Sequence, residues 1–371
     1  MRILSISSDA KLFEDGSPVV LRQIKYGELA SRLDIVNLSL KSGSVMIKNL
    51  SDKVTVYHTG SSLKFFYFWD AYQIAKKLNK PDLVTVQDPF ETGLTALLVA
   101  RYFKCPLQVQ IHTDFLSPYY FRESLKNRIR VWISCLVLPR SQCIRVVSQR
   151  IKKSIRERLP SVVAPIDVLP VFVVGEKFKA EATGASLREK YPQFRFILLM
   201  ASRLTKEKNM GLAVEAMKRV VERHPDAGLV IVGSGPMRRD LSSSIERLGL
   251  NNNVVVEDWN NDLISYYKTA DVFLNTSNYE GYGMAPVEAI LSGLPVIMTD
   301  VGVAGDVIKD GVNGLVVPVN DVVALGNAIC EFIENEEERR KLILGAKETK
   351  IEDNEASHPS RYKQCWEKCV L

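Results

Sequence analysis

The segment Glu280-Gly281-Tyr282-Gly283-Met284-Ala285-Pro286-Val287-Glu288 sets two carboxylates eight positions apart around a pair of glycines. It lies between an apolar run at Val272–Asn275 and a helical pattern that reaches about Ser292. Gly281 and Gly283 let the backbone turn tightly, and Pro286 suits the first turn of a helix, where an N–H has no partner to lose. Amides at such a start, around Gly283, Met284 and Ala285, form with the helix dipole an anion site suited to a diphosphate. A carboxylate aimed at the same phosphate would repel it, so Glu280 and Glu288 fit better as acceptors for sugar or ribose hydroxyls. A second segment, Ser202-Arg203-Leu204-Thr205-Lys206-Glu207-Lys208-Asn209, follows the apolar run Phe194–Ala201. Arg203 and Lys208 there converge on an anion beyond a strand end, the neutralisation that a pyrophosphate leaving group requires. Asn209 reads as the cap of the helix that follows.

In the first half of the chain, His112 ends the apolar run Leu107–Ile111, and Asp88 follows Leu83–Gln87. A histidine at a strand terminus is placed for function. For Asp88, an acceptor-side role and capping of the next helix have equal claim. Glu14-Asp15-Gly16-Ser17-Pro18 follows the first strand and holds a single glycine, Gly16.

These residues need strand ends to hold them. Short apolar runs alternate with amphipathic segments along most of the 371 residues, which predicts parallel strands joined by crossover helices. The expected strands are Arg2–Ser7, Asp34–Leu38, Lys53–His58, Leu83–Gln87, Leu107–His112 and Cys143–Ser148. A second series follows at Phe194–Ala201, Gly228–Gly233, Val254–Glu257, Val272–Asn275, Pro295–Thr299 and Gly314–Val317. The expected domains are residues 1–176, residues 177–352, and a C-terminal helix in 353–371 packing back toward the first domain. A loop is expected at Asn354–Pro359 and the helix at Ser360–Val370, where Tyr362 and Trp366 share a face.

Composition narrows the classes. Hydrophobic residues make up 46% and charged residues 25%, the balance of a globular chain. No apolar run reaches membrane-spanning length, and the start lacks the pattern of a secretory signal. Six cysteines and four histidines are scattered without metal-ligand spacing. Reduced thiols in a cytosol and no metal are therefore expected. Residues 1–176 carry 25 Lys+Arg against 15 Asp+Glu, a net of +10, whereas the remainder has 24 against 28, a net of −4. The basic excess concentrates in residues 122–158, with 11 Lys+Arg and two acids. Phe121, Leu125, Ile129, Trp132 and Leu136 make a stripe at helical spacing there, which predicts core packing with a solvated basic face. The basic run itself offers a contact for anionic lipid headgroups, which places the protein in the cytoplasm or on the inner face of a membrane.

Arg203 with Lys208, the Glu280-x7-Glu288 pair and Gly293-Leu294-Pro295-Val296 together resemble the retaining glycosyltransferases of family 4. Val232-Gly233-Ser234-Gly235-Pro236 and Asp310-Gly311-Val312-Asn313-Gly314 match as well. The resemblance implies the α/β GT-B fold, two Rossmann-like domains with parallel sheets facing across a cleft. It implies a UDP- or GDP-sugar donor held by the C-terminal domain, a glycan or lipid-linked acceptor on the N-terminal side, and no metal. Arg203 and Lys208 correspond to the diphosphate-binding pair. Glu280 corresponds to the glutamate beside the donor sugar, Glu288 to the ribose ligand, His112 to the histidine touching the sugar, and Gly16 to the place of the family's glycine-rich approach to the phosphates. The nucleobase is expected near Glu257-Asp258-Trp259, which departs from the family's usual Phe-x-Gly, so Asp258 is carried as a donor-side residue with base identity open.

Three other readings compete. A sugar-nucleotide epimerase shares the two-domain plan. A nucleic-acid-binding protein would use the basic half, but that half lacks repeated stacking aromatics and any reader motif. A catalytically silent carbohydrate binder is opposed by the Arg, Lys and paired Glu set.

Overall fold

The computed structural model describes residues 1–40, 47–179, 184, 186–351 and 357–371. The chain divides into two compact units, Met1–Pro170 with Glu355–Leu371, and Val171–Asn354.

The first unit holds β1 (Arg2–Ser7), β2 (Arg32–Asn37), β3 (Ile47–Ser51), β4 (Val54–His58), β5 (Leu83–Val86), β6 (Leu107–Ile111), β7 (Cys143–Val146) and β8 (Ile166–Val168). They form one sheet in the order β3-β4-β2-β1-β5-β6-β7-β8, parallel except for the antiparallel edge pair β3–β4. Its helices are α1 (Pro18–Gly27), α2 (Tyr67–Lys76), α3 (Glu91–Phe103), α4 (Pro118–Glu123), α5 (Leu125–Val137) and α6 (Gln149–Arg158).

The second unit has the short helices α7 (Gly175–Lys179) and α8 (Leu187–Lys190), then β9 (Phe196–Ala201), β10 (Ala227–Val232), β11 (Val254–Glu257), β12 (Val272–Asn275), β13 (Val296–Thr299) and β14 (Gly314–Val317). Its sheet is all parallel, ordered β11-β10-β9-β12-β13-β14. Helices α9 (Met210–Arg223), α10 (Arg238–Arg247), α11 (Leu263–Thr269), α12 (Met284–Leu291), α13 (Val322–Glu334) and α14 (Glu336–Glu348) connect and flank the strands. This is the doubly wound order, which reverses direction between β9 and β12. Ligands in such sheets bind outside the strand ends at that reversal. In the first unit the reversal falls between β1 and β5.

The last helix, α15 (Ser357–Val370), belongs to the first unit and lies over β5, β6 and β7. It begins earlier than the sequence pattern predicts, because Ser357, His358 and Pro359 already form its first turn, where proline loses no hydrogen bond. The expected loop at 354–356 lies outside the described residues. Trp366 is 1% exposed, and Tyr362 stacks on Tyr26 of α1 with ring centroids 4.1 Å apart. Beneath them, Gln110 donates to the Tyr362 hydroxyl at 2.8 Å, and Gln108 donates to the Cys365 carbonyl at 2.9 Å.

Three expectations need correction. Cys143 of β7 and Cys369 of α15 form a disulfide, with Cα atoms 5.5 Å apart, so the cysteines are not all reduced thiols. Packing of α15 across β7 joins residues 226 positions apart, a proximity no local spacing reveals. The apolar stripe of α4 and α5 is not core. Leu125 is 71% exposed and Trp132 65%, and Phe121 and Ile129 are exposed with them. The helix instead buries its Asn127, Ser134 and Val137 side. Finally, β3 and β8 were not anticipated, being short and, for β3, polar. Among the described residues no helix is long and apolar enough to cross a membrane.

Candidate active site

The loops leaving β9 and β12 at the reversal of the second sheet are laced together. The Asn278 amide donates to the Glu207 carbonyl at 2.8 Å, and the Thr276 hydroxyl lies 3.0 Å from the carbonyls of both Lys208 and Asn209. Asn209 does not cap α9 with its side chain. Its backbone is left-handed, at φ 44°, and its amide group donates to Asn278 (3.1 Å) and Asn320 (3.2 Å), tying loops instead.

This lacing brings the Lys208 ammonium onto the Glu280 carboxylate, at side-chain exposures of 17% and 12%. Ser277 holds the same carboxylate at 2.8 Å. A half-hidden ion pair of this kind fixes both groups in place, because either one left alone would be a poorly solvated charge. Arg203 leaves the same strand end but pairs with Glu207 at 2.8 Å, and its side chain is 74% exposed. The structure thus brings Lys208, not Arg203, against the glutamate loop.

The chain then passes through Gly281 to Gly283, whose φ of 96° suits glycine. Gly283 sits at the cap position of α12 and supplies no side chain, so the helix has no side-chain cap at its first turn, Met284 and Ala285. The next loop presses on this turn. A Cβ at Gly302 would come within 2.4 Å of the Tyr282 carbonyl oxygen and 2.9 Å of the Glu280 Cβ. One turn into α12, Glu288 accepts from the buried Tyr267 hydroxyl at 3.0 Å. Burial raises the Glu288 pKa, opposed by the Tyr267 bond and the charge of Lys177.

That shift has a sign that can be checked. A carboxyl whose folded pKa lies above its unfolded one holds more protons when folded, so its contribution falls as pH rises past the ordinary carboxylate range. Relative to Glu288→Gln, the wild type should therefore lose thermal stability as pH rises above about 4, read by melting both proteins from acid to neutral pH. Parallel curves would contradict the burial argument.

At the end of β11, burial disfavours an ionised Glu257, yet hydrogen bonds from Lys190, Tyr191 and Tyr266 outweigh it and lower its pKa. Glu257 is therefore committed to structure. Asp258 is 84% exposed and pairs with Arg238 at 2.7 Å, next to the exposed Trp259.

In the first unit, His112 follows β6, and its Nε2 donates to the Gln87 side-chain oxygen at 3.0 Å. Enclosure by protein atoms, then the charges of Arg145 and Arg22, push its pKa down. The ring keeps an exposed edge, which limits the shift but not its direction. The imidazole is neutral near pH 7, with Nδ1 left as an acceptor. Arg145 is itself buried, donating to Gln110 and lying over the Tyr362 ring. Asp88 accepts from the Phe90 amide at 2.8 Å, closing a turn just before α3, whose first turn has no side-chain cap. Gly16 occupies a turn at φ 69°, leading into the Ser17 cap of α1.

Among the described residues, the scattered histidines and cysteines meet an acid in one group. Ligand atoms of His224, Cys330 and Glu334 lie within 4.8 Å of one another. The Glu334 carboxylate is already engaged by an ion pair with Arg223 (2.6 Å) and a hydrogen bond with His224 (2.8 Å), and these contacts account for the group. Sequence reasoning missed Gln87, Ser277 and Tyr267, which orient His112, Glu280 and Glu288. They are single residues with no motif around them.

Comparison with known proteins agrees with this architecture. Residues 187–349 match the family described as glycosyl transferases group 1, and residues 41–174 match Glycosyltransferase Family 4. The UDP-Gal:alpha-D-GlcNAc-diphosphoundecaprenol alpha-1,3-galactosyltransferase of Escherichia coli is 27% identical over 270 residues, covering 71% of this chain and 69% of that protein. Alpha-D-kanosaminyltransferase of Streptomyces kanamyceticus is 27% identical over 258 residues, covering 67% of each. Among solved structures, sucrose-phosphate synthase from Thermosynechococcus elongatus superposes with a TM-score of 0.81 at 19% identity, covering 99% of this chain and 98% of that one. Anabaena HepE in complex with UDP superposes with a TM-score of 0.74 at 19% identity, covering 99% and 100%. At that identity the likeness is one of fold.

Two Rossmann-like units, with both of these family matches, define a glycosyltransferase of the GT-B fold. The chain belongs to glycosyltransferase family 4.

Proposed function

We propose that the protein transfers a sugar from a UDP-sugar to a hydroxyl of a lipid-linked or glycan acceptor at a membrane surface, with retention of anomeric configuration. The observation that carries this reading is the Lys208–Glu280 pair in the loop that leads to the uncapped start of α12, with Glu288 one turn on. Supporting it, the Escherichia coli relative bears a name that gives a UDP-galactose donor and a diphosphoundecaprenol-linked acceptor. Another relative, 23% identical over 260 residues, is the alpha-monoglucosyldiacylglycerol synthase of Acholeplasma laidlawii.

The chemistry follows from charge. As the sugar–phosphate bond breaks, negative charge grows on the diphosphate. Lys208, Arg203 and the amides of Met284 and Ala285 stabilise it in proportion to that growth. Glu288 accepts from the ribose hydroxyls and Asp258 lies on the base side. Glu280 accepts from a donor-sugar hydroxyl while its charge offsets Lys208. The departing phosphate oxygen takes the acceptor proton on the face it leaves, so configuration is kept. Cationic side chains and amides supply the neutralisation, and no metal is assigned a role.

The test is a donor panel with a lipid-linked acceptor. Expected are one free UDP per sugar transferred, a product anomeric proton matching the donor's configuration, and activity that survives a chelator. An altered nucleotide sugar without free UDP, or an inverted product, would overturn the proposal.

A further inference from the structure

We infer that the outer face of the α2–α3–α5 helix layer docks the first unit onto an anionic bilayer by seating aromatic and aliphatic side chains among the headgroups. This deepens the proposed membrane-side reading and is independent of the donor chemistry in the second unit.

The three helices are consecutive crossovers. They connect β4 to β5, β5 to β6 and β6 to β7, so right-handed connection puts them on one side of the sheet. Helix α3 packs between α2 and α5. On this layer the apolar side chains face outward in two groups. The turn Lys64–Phe66 and the start of α2 expose Leu63, Phe65 (75%), Phe66, Phe68 and Trp69 (52%). Helices α4 and α5 expose Phe121, Leu125, Ile129 and Trp132. All four exposed phenylalanines among the described residues lie here. Tyr102 of α3 is exposed between the groups, its ring 5.7 Å from that of Tyr72, with the Lys76 ammonium over both.

Cations rim these residues. Residues 63–77, 91–104 and 121–132 together carry nine Lys and Arg against three acids, Asp70, Glu123 and Glu91, the last paired with Arg130. Contiguous exposed apolar surface marks an interaction site, and the kind of rim decides the partner. A second copy docked by a two-fold axis would set this basic face against itself, with like charges desolvated together. Nucleic acid would take the cations but gain nothing from Leu63, Leu125 and Ile129. An anionic bilayer takes both, as headgroup phosphates meet Lys and Arg while Trp and Phe rest at the interface.

The experiment is flotation of the full-length protein with vesicles of phosphatidylcholine alone or with about a third phosphatidylglycerol, at low and high salt, with UDP binding measured without vesicles. The anionic vesicles should bind at least ~10-fold more tightly, and high salt should weaken but not abolish binding. Phe65→Ser/Trp69→Ser and Leu125→Ser/Trp132→Ser should each lower binding ~10-fold or more at both salts. Arg122→Glu/Lys126→Glu should remove much of the salt-sensitive part and serves as the independent arm if a serine variant misfolds. UDP binding should not change in any of them. No preference for anionic vesicles, full binding by the serine variants, or loss of a dimer in light scattering without vesicle binding would each overturn the docking surface. Loss of UDP binding by the wild type would instead remove the donor reading and leave this one standing.

Discussion

Lys208→Ala is expected to lower kcat by about 10²–10³-fold, the scale on which removal of one preorganised charge-stabilising group is felt. Lys208 is held by Glu280 and by the lacing of the two loops, so its ammonium needs little reorganisation to meet a phosphate. The change also strands the Glu280 carboxylate, which is only 12% exposed, and some loss of stability must accompany it. Lys208→Ala/Glu280→Gln separates the two effects. Removing the stranded charge should recover thermal stability, while turnover should stay at the level of the single variant or lower. Steady-state release of UDP and a thermal melt on each protein read the two quantities. Recovery of turnover in the double variant would mean that the lysine serves only to neutralise its partner.

Trp366→Ala should destabilise the first unit by about 3–5 kcal/mol, a large part of an ordinary domain's stability. The indole is 1% exposed and meets Tyr26 and Tyr362 edge to face, at centroid distances of 6.5 and 5.0 Å. With Cys369 bonded to Cys143, the helix stays tethered after the cavity opens. Reduction should therefore deepen the loss. Because α15 belongs to the first unit, the second unit's unfolding and its UDP affinity should be unaffected. Denaturant unfolding followed alongside UDP binding tests both halves of this expectation. A fall in UDP affinity equal to the loss of stability would show that α15 supports more than its own sheet.

Much of this protein could be read along the chain. Interior strands such as Arg2–Ser7 and Val272–Asn275 are legible at their observed bounds, because a strand buried on both faces must be apolar along most of its length. The turn from Glu280 to Glu288 is legible for a related reason. Glycine, proline and acid positions there answer to backbone demands within one loop and one helix start. The polar edge strand β3 obeys no such rule, since an edge answers to one neighbour only.

What only the tertiary structure decided concerns partners distant in sequence. Helical spacing shows that Phe121, Leu125, Ile129 and Trp132 share a face but not what that face meets, and here it meets solvent. Spacing likewise cannot join Cys143 to Cys369, set Tyr267 on Glu288, or choose Glu280 for Lys208 and Glu207 for Arg203. Periodicity is imposed by local backbone geometry and survives in the sequence. Pairing depends on which strand ends the sheet order makes neighbours, and that order appears only once the chain has folded.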